Sequence, residues 1–347
     1  MSGNVAVTKK DLEYDLGPRG ATEAVGARVA GRLTVHNDAT DRSAFVGGVV
    51  TVPSAGARHR YLGAEVATEG GKLVGRLHFH VLGALEVTGP RTVPITSHRD
   101  RIVLAMLLLR PNRIVSVDRL VDGVWSDSPP STARRQIQSC VVRLRRILRP
   151  VSDHEIIVTA YPGYLLRPGV HTSDHWEFVS RIGDLTAAAE SGPVDWSALA
   201  DDIRGALSLW RGPALEGINS PAVEAEAARL EEMRLAAVEW LMDVELTAGR
   251  DHELIGELIP LIGSHQFRER FCEQLMVAQY RAGRRVDALA TYREARTLLL
   301  AEIGSEPGAN LRRLHDAVLC DDPARVRLEA TSPGRRSRYP RESSYAW

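Results

Sequence analysis

The sequence has little of what marks membrane, secreted or disulfide-rich proteins. Its 347 residues include three cysteines, no apolar run long enough to cross a bilayer, and no basic N-terminal segment followed by an apolar one. Cys140, Cys272 and Cys320 are far apart, and none belongs to a Cys-x-x-Cys pair. Because this spacing favours reduced thiols over a disulfide framework, we expect a cytoplasmic protein without a membrane partner.

Motifs for catalysis and cofactor binding are also missing. Gly70–Lys72 lacks the rest of a phosphate-binding loop, and the sequence contains neither Gly-x-Ser-x-Gly nor a Cys/His pair with a suitable third group. His78 and His80 have a spacing compatible with metal binding. Without a cluster of Cys, Asp or Glu beside them, they are better interpreted as histidines on the polar face of a strand. We therefore expect no catalytic residues, no cofactor and no metal site.

Charge is balanced over the whole chain but not locally. The chain has 44 basic and 44 acidic residues, and a zero net charge taken alone argues against a nucleic-acid partner. Residues 76–170, however, contain 14 Arg, no Lys and 7 acidic residues, which gives +7. Residues 215–257 contain 3 Arg and 11 acidic residues, which gives −8. This asymmetry is typical of a DNA-binding domain next to an interaction domain.

Apolar periodicity in residues 76–170 predicts a small α+β domain. Strands are predicted at Leu77–Leu82, Leu85–Val87 and Thr92–Ile95, and helices at Ile102–Leu109, Arg119–Trp125 and Ser131–Arg149. A connector at Asn112–Val115 precedes the second helix, which Ser116 or Asp118 can cap. Ile156–Thr159 and Tyr164–Leu166 then form a β-hairpin. This order predicts a winged helix: a small N-terminal sheet, three helices and a hairpin wing.

The third predicted helix, residues 131–149, carries six arginines and no acidic residue. A charge run is often a solvated face, but surface helices usually mix both signs for i, i+4 pairing, and this one does not. Its place after a helix and loop and before a hairpin is that of a recognition helix, so we expect it to bind double-stranded DNA. In the wing, Thr159, Tyr161 and Tyr164 can touch the sugar-phosphate backbone. Tyr164 can equally well pack on the helix.

Beyond residue 172 the pattern is helical and repetitive. Ala248–Arg250 and Ala282–Arg284 carry the same tripeptide 34 residues apart, and three further pairs of positions keep that offset. Thirty-four residues is the tetratricopeptide period, in which stacked helix pairs bury their apolar faces. We predict an all-α repeat domain over 171–320. Its core is expected to include Trp210, Trp240, Tyr280 and Tyr292.

Two segments resemble the domains of one bacterial family. Residues 76–166 resemble the OmpR-type winged helix, through Val141–Leu148 in the recognition helix and Val158–Tyr164 in the wing. Residues 173–320 look like a bacterial transcriptional activation domain. This second resemblance rests on Ala206–Pro213, Ala278–Arg284, Ala288–Arg293, Leu299–Gly304 and Glu306–Gly308. Together the two domains are similar to the Streptomyces antibiotic regulatory protein family, over about 245 of the 347 residues.

The resemblance implies a nucleoid-associated activator of a secondary-metabolite (antibiotic) gene cluster. Such regulators bind direct repeats that overlap the promoter −35 region, as homodimers or paired protomers. They recruit RNA polymerase holoenzyme through sigma region 4, the β flap and the α C-terminal domain. Under this resemblance, the loop 126–132 would face polymerase, chiefly through Ser126, Asp127, Ser128, Pro129 and Pro130.

The resemblance also assigns DNA contacts by position. Arg135, Gln138, Ser139 and Arg143 would face bases, whereas Arg145, Arg146 and Thr159 would favour the backbone. Arg134, Val142, Tyr161 and Tyr164 complete the expected DNA-binding set. The wing turn Ala160–Gly163 is short and lacks the basic residue of many relatives, which argues against a DNA contact by Tyr161. The activating step would belong to the loop before the recognition helix and to the acidic repeats after it.

Both ends of the chain are expected to be poorly ordered. Residues 1–75 show little sustained periodicity, although short apolar stretches such as Val46–Val52 can form weak strands. Because bacterial start codons include GTG, a natural start near Val74 is an alternative interpretation. Residues 321–347, rich in Pro, Gly, Ser and Arg, are expected to form a disordered tail.

Two further expectations concern function. The sequence shows no receiver or nucleotide-binding domain, so it offers no basis for control by phosphorylation or ATP within this chain. The alternative to a DNA-binding activator is a protein-interaction scaffold, in which the helical repeats bind a protein and the winged domain does not bind DNA sequence-specifically.

Overall fold

The computed structural model describes residues 28–29, 50–51, 67–69, 72–90, 92–149 and 155–328. The chain divides into two compact units, residues 1–63 and 64–347. In the first unit the described residues form one antiparallel pair, β1 (Arg28–Val29) and β2 (Val50–Thr51). Most of the predicted extension 1–75 and the predicted tail beyond residue 328 lie outside the described residues.

The second unit begins with a hairpin and a small sheet. β3 (Ala67–Glu69) pairs antiparallel with β4 (Lys72–Val74). β5 (His78–His80) pairs antiparallel with β6 (Glu86–Thr88) and parallel with β10 (Thr172–Ser173), a strand from beyond the wing. The expected strand at Thr92–Ile95 is not formed, and the prediction was wrong there. Val93 N donates to Val87 O at 2.9 Å. The next residue, Pro94, has no N–H and cannot donate to a strand ladder.

Three helices and a three-stranded sheet confirm the predicted winged helix. Its elements are α1 (His98–Leu108), β7 (Val115–Ser116), α2 (Val117–Trp125), α3 (Ala133–Leu148), β8 (Ile157–Ala160) and β9 (Gly163–Leu166). Ser97 and Ser116 accept backbone N–H bonds at the starts of α1 and α2. Every side chain from Ile102 to Leu108 is buried, as expected for a helix that is apolar all round.

The wing sheet differs from the sequence prediction in one strand. Val115 and Ser116, expected as a connector and a cap, form β7 and pair with Tyr164 and Gly163. The wing therefore has the strand order β7-β9-β8. This pairing attaches the hairpin to the start of α2.

Seven helices follow in the part of the chain that the structure describes. They are α4 (Asp174–Ser191), α5 (Trp196–Leu207), α6 (Pro221–Thr247), α7 (Asp251–Ser264), α8 (Glu269–Arg281), α9 (Arg285–Glu302) and α10 (Ala309–Leu319). Trp210, Trp240 and Tyr292 are buried and Tyr280 is half-buried. Residues 321–328, assigned to the tail from the sequence, instead continue the domain, because Val326 is buried in its core.

The 34-residue repeat recurs in the backbone. Gly249 and Gly283 occupy equivalent turns with positive φ angles of 82° and 76°, a conformation that favours glycine. In both turns the following arginine donates its N–H to the carbonyl five residues earlier: Arg250 to Glu245 at 3.1 Å, and Arg284 to Gln279 at 2.7 Å. The predicted repeat architecture is confirmed as the helix pairs α6–α7 and α8–α9.

The winged-helix and helical domains pack closely within the second unit. The buried Asp174 carboxylate accepts the backbone N–H groups of Val81 (2.9 and 3.0 Å) and Leu82 (3.1 Å). In return, Leu82 O accepts from Arg211 N at 2.8 Å, and Val81 O accepts from Leu215 N at 2.9 Å. The segment after β5 is therefore bonded to the helical domain through its own backbone.

We expect Gly163→Ala to destabilise the protein by about 1–3 kcal/mol, because overpacking against backbone cannot be relieved by side-chain rotation. A Cβ at Gly163 would lie 1.9 Å from Val115 O and 2.7 Å from Ser116 Cα. Gly183→Ala in α4 is the matched control, since its Cβ would meet nothing within 4 Å. Gly183→Ala is expected to raise the free energy of unfolding by about 0.5–1 kcal/mol. Thermal unfolding of both variants measures the difference, and a Gly163→Ala melting temperature equal to wild type contradicts it.

Candidate nucleic-acid interface

The burial pattern of α3 divides the helix into two opposite faces. Its buried side chains are Ala133, Ile137, Cys140, Val141, Leu144 and Leu148. With about 100° between successive residues, the exposed side chains on the opposite side form one stripe. This stripe, called the recognition face below, consists of Arg135, Gln138, Ser139, Val142, Arg146 and Arg149.

Three of the six arginines are already engaged by other groups. Arg134 forms an exposed ion pair with Asp118. Arg143 is paired with Asp100, and Arg145 with Glu155 at 3.0 Å. In contrast, Arg135, Arg146 and Arg149 on the recognition face have no side-chain hydrogen bond or ion pair to the described part of the chain. The free positive charge of this helix is thus concentrated on the recognition face.

Arg143 is held by a buried carboxylate in α1. Its Nε lies 2.9 Å from Asp100 Oδ2 and its Nη2 lies 2.6 Å from Asp100 Oδ1, while Asp100 is only 2% exposed. Nη2 also approaches Cys140 Sγ at 3.2 Å. Burial, followed by the contacts with Asp100, raises the pKa of the Cys140 thiol to about 11.

This geometry bears on the expected base contact of Arg143. Reading guanine O6 and N7 uses a fork of two guanidinium nitrogens, and the Nε/Nη2 edge of Arg143 is bonded to Asp100. Only 42% of the side chain is exposed. We therefore assign Arg143 a structural function, which is to attach α3 to α1, in place of the base contact expected from the sequence.

The wing places its three candidate residues in different environments. Thr159 is exposed, and its Oγ1 accepts a bond from Arg145 at 2.9 Å. Tyr161 is 96% exposed at the turn of the hairpin. Tyr164, in contrast, is 8% exposed, and the guanidinium carbon of Arg145 lies 5.9 Å from its ring centroid. Of the two interpretations of Tyr164, the structure supports packing on the helix, and its assignment to the DNA-binding set is corrected accordingly.

The loop between α2 and α3 is exposed over the predicted polymerase-facing segment. Ser126, Asp127, Ser128, Pro129 and Pro130 are all exposed. Ser126 has a positive φ of 52° and donates its N–H to Asp122 O at 2.8 Å. At the other end of the loop, Ala133 N donates to Pro130 O at 2.9 Å. The loop is therefore fixed by backbone bonds at both ends.

Most acidic side chains of the segment 215–257 form ion pairs within the protein. Eight of its 11 acidic residues pair with arginines: Glu226, Glu231, Glu232, Glu239, Asp243, Glu245, Asp251 and Glu257. Several partners, including Arg204, Arg268 and Arg270, lie outside the segment. The net charge of −8 is thus largely offset by arginines within the fold, so the charge count alone is weak support for an acidic activating surface.

His78 and His80 both have hydrogen-bond partners. His78 Nδ1 lies 2.7 Å from Thr172 Oγ1, and His80 Nε2 lies 2.9 Å from Thr88 Oγ1. Burial, with the neighbouring His78 as a second cause, lowers the pKa of His80 to about 4. No group of three or more His, Cys, Asp or Glu that could hold a metal occurs among the described residues. Within the same residues, no helix has the length and apolarity needed to cross a membrane.

A winged helix with a free basic helix face, followed by helical repeats, defines a two-domain transcriptional regulator. The family model "Transcriptional regulatory protein, C terminal" matches residues 92–166, and "Bacterial transcriptional activator domain" matches residues 173–319. The chain is 32% identical to the regulatory protein DnrI of Streptomyces peucetius, over 71% of this chain and 93% of DnrI. It is 34% identical to the transcriptional regulator RedD of Streptomyces coelicolor, over 72% of each chain. The chain therefore belongs to the Streptomyces antibiotic regulatory protein family.

Longer relatives share the same region. The chain is 35% identical to the regulatory protein AfsR of Streptomyces coelicolor, over 74% of this chain but 26% of AfsR, and so spans about a quarter of that relative. The solved structure of Mycobacterium tuberculosis EmbR in complex with a low-affinity phosphopeptide matches with a TM-score of 0.67 and 32% identity. That match covers 75% of this chain and 67% of EmbR.

We expect Asp100 and Arg143 to be strongly coupled in stability. Losing either partner leaves a buried or half-buried group unpaired, so Asp100→Asn and Arg143→Gln should each cost about 1–3 kcal/mol. In a double-mutant cycle measured by urea unfolding, the coupling energy should exceed about 1 kcal/mol. The exposed pair Arg134–Asp118 is the matched control, with an expected coupling below about 0.5 kcal/mol. Additive effects of Asp100→Asn and Arg143→Gln would contradict the structural function of this pair.

Proposed function

We propose that the chain is a sequence-specific DNA-binding activator of transcription, acting on a secondary-metabolite gene cluster. The observation that carries the proposal is the recognition face of α3, where three arginines that have no ion pair with any described residue lie together on the exposed side of a winged-helix third helix. Membership of the antibiotic regulatory protein family and the match to the activator-domain model support the activating part. In this proposal the protein acts in the cytoplasm, at the nucleoid.

Base readout is assigned to the N-terminal and central part of the recognition face. Arg135 can donate to guanine O6 and N7, and Gln138 can pair with adenine N6 and N7. Ser139 already donates its hydroxyl to Arg135 O at 3.0 Å and keeps its acceptor capacity. Val142, with 62% of its surface exposed, offers methyl groups that fit the thymine 5-methyl in the major groove.

Backbone contacts are assigned to groups at the edges of this face. Arg146 and Arg149 lie at the C-terminal end of α3, and their guanidinium groups, which have no ion pair with the described residues, suit phosphates. Thr159 and Tyr161 on the wing are exposed and offer hydroxyl groups to the sugar-phosphate backbone. Arg145 reaches the wing rather than solvent, since its Nε donates to Ile157 O at 2.8 Å.

Family membership supports a proposed assembly of the protein on DNA. Two protomers would bind side by side on direct repeats overlapping the −35 region. The exposed loop 126–130 would then meet RNA polymerase holoenzyme, through sigma region 4, the β flap or the α C-terminal domain. Two adjacent prolines, Pro129 and Pro130, restrict the backbone of this loop and reduce the entropy lost on binding.

Alanine substitutions on the recognition face test DNA binding. At the promoter of a neighbouring biosynthetic gene, Arg135→Ala should cost about 1–3 kcal/mol of operator affinity and leave non-specific affinity nearly unchanged. Arg146→Ala should weaken binding to all sequences and lower the log–log salt slope by about 0.9. Arg293→Ala on α9 is the control, because among the described residues this exposed arginine bonds only to Leu289 O of its own helix. Footprinting and gel shifts measure these effects.

Two outcomes contradict this part of the proposal. If Arg135→Ala binds the operator as wild type does, the base-reading assignment fails. If the wild-type chain gives no footprint on any promoter of the cluster, the DNA-binding proposal itself fails. That result would favour the scaffold alternative, in which the helical repeats bind a protein partner.

Substitution in the loop tests the polymerase contact separately. We expect Asp127→Ala and the double change Pro129→Ala/Pro130→Ala to keep operator affinity within about twofold of wild type, because the loop is outside the recognition face. In-vitro transcription with holoenzyme should nevertheless fall. Asp201→Ala, an exposed acid on α5, is the matched control for Asp127→Ala. Full activation by both loop variants would rule out this loop as the polymerase contact.

A further inference from the structure

The loop 126–130 starts at a helix end that needs hydrogen-bond donors from outside the helix. The last four carbonyls of α2, from Asp122 to Trp125, have no partner inside the helix. Asp122 O accepts from Ser126 N at 2.8 Å, and Trp125 O accepts from Ser128 N at 3.3 Å. Gly123 O, between them, accepts from the hydroxyl of Ser220 at 2.6 Å. A residue of the helical domain therefore completes the end of α2.

Ser220 is an N-cap residue whose hydroxyl does not cap its own helix. It precedes α6, and serine in this place usually accepts a backbone N–H with its side-chain oxygen. Here the backbone carbonyl of Ser220 accepts from Val223 N and Glu224 N, but its side chain makes no bond to α6. Ser220 is 2% exposed, and its hydroxyl bonds to Gly123 of the winged-helix domain, 97 residues away in sequence.

Two further contacts hold α6 against the winged helix. A Cβ at Gly123 would lie 3.7 Å from Ala222 Cβ, an ordinary van der Waals distance, so the first turn of α6 packs beside α2. Arg110 Nη2, just after α1, lies 2.9 Å from Glu226 Oε1. Burial of Glu226 opposes ionisation, but hydrogen bonds from Arg229 and Arg110 outweigh it and lower its pKa, so this carboxylate stays charged.

We propose that Ser220 is a positioning residue for activation, through which the helical domain fixes the conformation of the loop 126–130. The inference rests on the proposed function of that loop as the polymerase contact. It gives the helical domain a way to act on transcription that needs neither DNA contact nor an acidic surface. Any partner or substitution that moves the start of α6 would change activation while operator affinity stays the same.

The test uses the full chain with Ser220→Ala and a matched control, Ser208→Ala. The Ser208 hydroxyl also donates to a backbone carbonyl, Gly205 O at 2.8 Å, but does so inside the helical domain. Three quantities are measured: operator affinity by footprinting, activation by in-vitro transcription with holoenzyme, and amide hydrogen exchange of Ser126, Asp127 and Ser128. The exchange measurement needs no DNA and therefore tests the coupling even if DNA binding fails.

For Ser220→Ala we expect amide exchange in the loop to accelerate by about tenfold, the effect of losing one buried hydrogen bond. Activation should fall several-fold and operator affinity should stay within about twofold of wild type. Ser208→Ala should change none of the three. Unchanged loop exchange in Ser220→Ala, or a loss of activation that only parallels a loss of operator affinity, overturns the proposal.

A second variant keeps the proposal testable if Ser220→Ala does not fold. Glu226→Gln removes the carboxylate charge that pairs with Arg110 and leaves Ser220 in place. It should loosen the same contact and shift loop exchange and activation in the same direction, by a smaller factor. Wild-type loop exchange in Glu226→Gln, with Ser220→Ala unfolded, would also overturn the proposal.

Discussion

Ion pairing between arginines and carboxylates from distant parts of the chain determines which charges remain free for other molecules. On α3 it engages Arg134, Arg143 and Arg145, whereas the arginines of the recognition face have no ion pair within the part of the chain that the structure describes. In the helical domain it neutralises most of the acids of residues 215–257. A chain with no net charge can thus present a local positive surface. The proposed DNA contact depends on which arginines stay outside these ion pairs. The same ion pairs weaken the argument for an acidic activating surface.

The second constraint is the close packing of the two domains. β10 adds to the sheet of β5 and β6, Asp174 binds the backbone after β5, and Ser220 completes the end of α2. These contacts use buried polar groups, whose loss is costly when one partner is removed. The helical domain and the winged helix therefore behave as one structural unit around the loop 126–130. This arrangement explains how a repeat domain can influence a loop that belongs to another domain.

Local patterns in the sequence predicted most elements but not the contacts between them. The helical periodicity of α3, the cap of α2 at Ser116 and the 34-residue repeat were all visible, because each depends on neighbours in the chain. The strand expected at Thr92–Ile95 failed at Pro94, a residue that cannot donate to a sheet. Strand β7 was missed because its pairing depends on Gly163, far along the chain.

Charge counts along the sequence could not show which charged residues are paired, for the same reason. Asp100 binds Arg143 across 43 residues, and Arg204 binds Glu257 across 53, so windowed charge counts could not reveal either pair. Tyr164 was open between two interpretations, and only its burial decided between them. The candidate site could therefore be assigned to the third helix from sequence, whereas the distinction between its paired and unpaired arginines required the fold.

Photo-cross-linking from the recognition face tests most directly whether α3 reads the DNA. A photoreactive p-benzoylphenylalanine placed at Val142 should cross-link to bases of the operator, because this side chain is exposed in the middle of that face. The same residue placed at Val286, exposed on α9, should give no cross-link to DNA. If the chain binds the operator but Val142 gives no cross-link, or if both positions cross-link equally, α3 is not the element that reads the DNA.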